Sequence, residues 1–71
     1  MTPETTVTTA VERLLEQHDP VAAVELLRVV DGASETGRRL ALDKLDSYLR
    51  ARPDERPRAI VDALIALRRA R

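Results

Sequence analysis

The chain has 71 residues, with 12 basic and 12 acidic side chains, no cysteine and a single aromatic residue, Tyr48. That length makes one domain, which buries only about 60% of its unfolded surface and is therefore marginal without help. The composition excludes disulfides and thiolate metal sites, leaves His18 too isolated for a structural zinc site, and argues against stacking on bases or sugars.

What remains as help is regular helix packing or association. The chain's ten Leu, seven Val and two Ile predict an aliphatic core. Net charge is zero but unevenly spread. Residues 1–49 carry five basic and nine acidic groups, and residues 50–71 carry seven and three.

Thr2-Pro3-Glu4 reads as a helix start, with a capping hydroxyl, a proline in the first turn and an acid near the positive end. Val7, Ala10, Val11, Leu14 and Leu15 follow at helical spacing. Thr8, Thr9, Glu12, Arg13, Glu16 and Gln17 take the other face. The β-branched first turns are weak helix formers, so residues 1–6 are expected to fray.

Asp19-Pro20 repeats the start signal. The second helix, about Pro20 to Asp31, has only Glu25 and Arg28 as polar residues between Val21 and Val30. They stand three apart, close enough to pair. A helix this apolar is expected to be covered on most sides, and Gly32 offers a C-cap that tolerates left-handed geometry.

Ser34 caps the third helix, whose apolar stripe is Ala41, Leu42, Leu45, Tyr48 and Leu49. Leu40 falls on the opposite side. Glu35→Arg39 and Asp46→Arg50 have the favourable i,i+4 order. Gly37 costs about 1 kcal/mol relative to Ala inside a helix, which moves the expected start towards Arg38.

Pro53-Asp54-Glu55-Arg56-Pro57 breaks the chain. Asp54 is the expected cap of the fourth helix, with Pro57 in its first turn and its end near Ala70. Ile60, Val61, Leu64 and Leu67 form one stripe of that helix, flanked by Ile65, Ala59 and Ala63. Its apolar arc runs roughly two-thirds of the way round.

The expected fold is all-α: a compact array of four short helices, antiparallel or orthogonally packed because the connections are short. Pro20-x-Ala22-x-Val24-Glu25-x-Leu27 echoes Pro57-x-Ala59-x-Val61-Asp62-x-Leu64 at a spacing of 37. That is the size of a helical-hairpin repeat. The run from Leu40 to Asp54 resembles the second helix and closing proline of a tetratricopeptide repeat, although the Trp, Leu-Gly and Tyr positions of that family's first helix are absent. Asp46-Ser47 is similar to the Asp-Ser-Leu attachment site of acyl carrier proteins, but here the serine lies inside a helical pattern and precedes Tyr48.

No motif for catalysis, metal or cofactor emerges. His18 reads as a histidine that favours the negative end of helix one, and Glu12 with Glu16 reads as a solvated face. The expected function is a small non-enzymatic protein–protein interaction or adaptor module. It self-associates as a homodimer through Val61, Leu64, Ile65 and Leu67, because the chain carries more apolar helix than three short neighbours can cover. Ile65, which falls off the main stripe, is the sharpest of these.

The alternative is a small DNA- or RNA-binding regulator. Its contacts would be Arg38, Arg39 and Lys44 on a helix-turn-helix made from helices two and three, or the Arg68, Arg69 and Arg71 end. No apolar run reaches the length of about 20 residues that spans a bilayer. No signal peptide is visible. The cytoplasm is the expected compartment.

Overall fold

A computed structural model describes residues 3–69, with side chains from Thr5 onward. It is an all-α array of four helices: α1 (Pro3–Gln17), α2 (Pro20–Asp31), α3 (Glu35–Ala51) and α4 (Arg58–Arg69). α1 begins at Pro3, and Met1 and Thr2 of the segment expected to fray lie outside the described residues.

Local signals account for most boundaries. The Asp19 carboxylate accepts from the Val21 N–H at 2.9 Å, and Pro20 opens α2. Ser34 accepts from the Gly37 N–H at 3.4 Å, a long cap bond, and α3 begins at Glu35 rather than near Arg38. Both caps satisfy a helix-end donor that would otherwise be left to water.

The start of α4 departs from expectation. Pro53 and Asp54 form a turn closed by the Glu55 N–H donating to the Arg52 carbonyl at 3.0 Å. Proline at the second position of such a turn has its φ already set. Arg56 then precedes Pro57 and is steered away from helix for that reason. Asp54 therefore cannot cap α4. The Pro57 carbonyl instead accepts from the Ile60 and Val61 N–H groups, each at 3.1 Å.

The left-handed helix end expected at Gly32 is found at His18 instead. Gly32 closes α2 with φ −92°, a conformation open to any residue. His18 closes α1 with φ 53°, in the left-handed region. Its N–H still donates to the Leu14 carbonyl at 2.8 Å.

The helices form a square. α1 packs chiefly on α2 and α3, and α4 packs on the same two from the other side, while the diagonal pairs touch least. α1 and α3 run in the same direction. At their N-terminal ends Val7 lies against Gly37. At their C-terminal ends His18 Nε2 and the Tyr48 hydroxyl are 2.9 Å apart. Since each hairpin is antiparallel, α2 and α4 also run parallel. The two hairpins are thus laid side by side in one orientation. The echo at a spacing of 37 has this counterpart: Ala22 and Ala59 are both buried at equivalent turns of α2 and α4.

Val7, Val11, Leu14, Leu26, Ala41, Leu45, Ile60 and Leu67 form the fully enclosed centre. No buried polar side chain lies among them. Fully burying a Leu or Ile side chain contributes roughly 1.5–3 kcal/mol each, so this aliphatic centre supplies most of the gain that offsets chain ordering. Gly37 is itself buried. A Cβ there would stand 3.3 Å from Val7 Cγ2 and 3.1 Å from Ala33 Cβ. The glycine costs helix propensity, and in exchange α1 and α3 approach closely at their shared end.

Candidate interaction surface

The four residues expected to meet a partner are not on one surface. Leu64 is 6% exposed and Leu67 1%, both inside the chain's own core, so neither is open to a partner in this fold. Val61 is half-buried against that core. Ile65 is 44% exposed. At about 100° per residue it lies about 140° from Ile60, on the outer side of α4 with Arg58 and Asp62. A single exposed Ile is ordinary for a soluble surface.

The larger exposure is on α2. Val21 is 69% exposed and Val24 52%. The expectation that α2 is covered on most sides therefore fails. Its core-facing residues are Ala22, Ala23, Leu26 and Val30. Val21 and Val24 project past them, with no helix on that side.

Beside this ridge runs a groove of about 700 Å³ between α2 and α4. Its walls are Pro20, Ala23, Val24 and Leu27 from α2, with Pro57, Ala59, Ala63 and Ala66 on the α4 side. Parallel helices with alanine at half of these wall positions leave such a channel, because the α4 side offers only small side chains to fill it. His18, Arg58 and Asp62 mark one end. Arg58 and Asp62 approach to 3.7 Å. At the other end Val24, Leu27 and Ala66 are shared with a second cavity that runs to Arg28, Asp31, Glu35 and Arg38.

The signal for this surface was present in the spacing of Val21 and Val24, and of Ala59, Ala63 and Ala66. It was hidden because apolar residues on a short helix read as core until the neighbours are placed.

The cations of the nucleic-acid alternative do not converge. On α3, Arg38, Arg39 and Lys44 are separated by about 100–140° around the axis, so they share no face. Arg39 pairs with Glu35 at 3.9 Å, and Arg68 with Asp46 at 3.6 Å. Arg69 is exposed at the end of α4, and Arg71 lies outside the described residues. Asp46 also holds Arg50 at 3.1 Å. Glu25 reaches Arg13 of α1 at 4.0 Å, not Arg28 as expected. Pairing of this kind leaves little net field for a phosphate.

His18, Tyr48 and Arg52 form one further cluster. The two rings meet edge to face with centroids 5.9 Å apart, and the Arg52 guanidinium lies 4.1 Å from the centre of the Tyr48 ring. The His18–Tyr48 contact ties the C-terminal ends of α1 and α3 together, and Arg52 caps the ring from within the end of α3. Ser47 is an exposed helix residue. Among the described residues no group of three or more acids and histidines could hold a metal ion, and no helix is long and apolar enough to cross a membrane.

Comparison with known proteins adds no relative: no protein-family model, curated protein or solved structure matches the chain. The packing does not reproduce the tetratricopeptide hairpin either, since α2 and α3, which would form it, are a diagonal pair of the square.

Proposed function

We propose that the chain is a small non-enzymatic interaction module that self-associates, and that its contact face is the α2–α4 groove with the Val21–Val24 ridge beside it. The observation that carries this reading is the adjacency of the two shapes. A convex apolar ridge next to a concave apolar channel is self-complementary, as a two-fold interface requires, since each copy can offer its ridge to the other's channel.

Two further points support a second copy as the occupant. A compact monomer of 7.9 kDa is expected to expose about 4400 Å², whereas this chain exposes 4927 Å². A stable interface takes about 800 Å² per partner, roughly one-sixth of that 4927 Å².

Sedimentation equilibrium from about 10 μM to about 1 mM, a range that brackets a weak to moderate dimer, tests the proposal. The expected result is a shift towards twice the monomer mass. Val24→Asp should remain helical by circular dichroism and sediment as a monomer throughout. A wild-type chain that stays monomeric at the highest concentration would overturn the reading. The nucleic-acid reading predicts a duplex-DNA shift that weakens steeply with salt, and no convergent cation surface favours it.

A further inference from the structure

We infer that the second copy lies with its α2 antiparallel across the groove, so that Val24 of each chain meets Val24 of the other on the two-fold axis. This rests on the self-association proposed above and adds its register. Three observations set the direction and the position.

The first is electrostatic. α2 and α4 run parallel, so their positive N-terminal ends stand side by side near Pro20 and Pro57, and their negative ends stand together near Ala66. Parallel macrodipoles repel, and a third helix laid between them is favoured when it runs the other way. An antiparallel second α2 brings its C-terminal end, with Asp31, to the two positive ends.

The second is the order of charges along α2. In an antiparallel pair centred on residue 24, positions 28 and 20 face one another. The second copy's Arg28 then reaches the Asp19–Pro20 end of the first chain, and the first chain's Arg28 does the same in return. Arg28 has no ion-pair partner within 4.0 Å among the described residues; of the two acids within a turn of it on α2, Glu25 lies 4.0 Å from Arg13 and Asp31 is exposed at the helix end. A reciprocal contact of residue i with j and j with i is the mark of a two-fold interface.

The third is shape. Val24 belongs both to the exposed ridge and to the wall of the groove. It is the position where the ridge of one copy and the channel of the other can exchange places. Centring the axis there seats Val21 of each copy over the Leu27–Ala66 end of the other's channel.

The chain contains no cysteine, so single-cysteine variants give an unambiguous test. Val24→Cys and Ile65→Cys are oxidised separately at equal concentration, and covalent dimer is followed on non-reducing gels. A residue on the axis comes within the Cα separation of about 4.4–6.8 Å that a disulfide needs. The expected result is that Val24→Cys links at least about tenfold faster than Ile65→Cys, which lies on the outer face of α4. Arg28→Glu should weaken the sedimentation dimer by at least about tenfold, the size expected when one partner of a reciprocal ion pair is reversed.

Dimerisation with no preferential linking at residue 24, or with faster linking at residue 65, overturns this register and leaves self-association standing. A wild-type monomer at all concentrations overturns both. Both cysteine positions are exposed, so circular dichroism matching the wild type is the expected control. A collapse of the helical signal in Val24→Cys alone would place Val24 in the core and overturn the inference as well.

Discussion

The two glycines of the chain make opposite predictions, and Gly37→Ala is the sharper. Alanine at this helical position gains about 1 kcal/mol of propensity. The new Cβ, however, meets Val7 Cγ2 at 3.3 Å and Ala33 Cβ at 3.1 Å. Ala33 stands in the turn before α3 and can shift by the few tenths of an ångström required. Val7 cannot do so easily, because it is fully enclosed in the core and a β-branched side chain in a helix has essentially one rotamer. Overpacking a well-filled core costs about 1–3 kcal/mol.

The overpacking outweighs the propensity, and a net loss of about 1 kcal/mol is expected, or about 4–8 °C in Tm for a domain this size. Val7→Ala removes the obstructing methyl at its own cost of about 2 kcal/mol. In that background Gly37→Ala should turn neutral or stabilising, so the double-mutant cycle shows a coupling of at least about 1 kcal/mol. Urea unfolding followed by circular dichroism at fixed protein concentration measures all four corners. A Gly37→Ala chain more stable than wild type, or a cycle with no coupling, would refute the idea that Gly37 sets the α1–α3 approach.

Gly32→Ala should instead stabilise by about 0.4–1 kcal/mol through the unfolded state, since its φ is −92° and the nearest atom to a new Cβ is the Val29 carbonyl oxygen at 3.9 Å; the same urea assay checks the sign. His18→Ala should cost about 1 kcal/mol by losing the Tyr48 hydrogen bond while keeping the left-handed backbone. His18→Gly loses the same bond but relieves the backbone, so it should unfold at higher urea than His18→Ala. Asp19→Ala should cost about 1 kcal/mol, and Ser34→Ala less, because its cap bond is longer; thermal midpoints rank the two. Leu45→Ala, at a fully enclosed site, should cost about 2–5 kcal/mol and leave little folded chain at room temperature by circular dichroism.

The four-helix array was legible because its signals are local. Asp19-Pro20 and Ser34 cap where they were expected to, and the stripes through Val7–Leu14 and Ala41–Leu49 face inward. The late start of α4 was missed because Asp54 looks like a cap in isolation. Its failure comes from Pro57 acting on Arg56, two residues beyond.

The exposed surface was harder to read. Leu64 and Ile65 are adjacent and equally apolar, yet one is core and the other faces outward. Only the position of α2, which no spacing within α4 reveals, decides which flank of α4 is open. Ala59 and Ala63 are legible in the spacing of α4 only as flanks of its apolar stripe. Their consequence, an unfilled channel, depends on a parallel neighbour supplied by the other hairpin.

Tyr48 is the one aromatic side chain among the chain's 71 residues, and it sits where two helix ends are tied. With no tryptophan to absorb its emission, the phenol becomes a built-in optical gauge of that junction. Any event that parts α1 from α3 at this end strips the imidazole from the ring, while the guanidinium of Arg52, at the end of the helix that carries Tyr48, can stay. Its fluorescence and near-ultraviolet dichroism therefore follow one joint of the molecule, while the far-ultraviolet signal follows all four helices. A difference between the two during unfolding would reveal the hairpins separating before they melt.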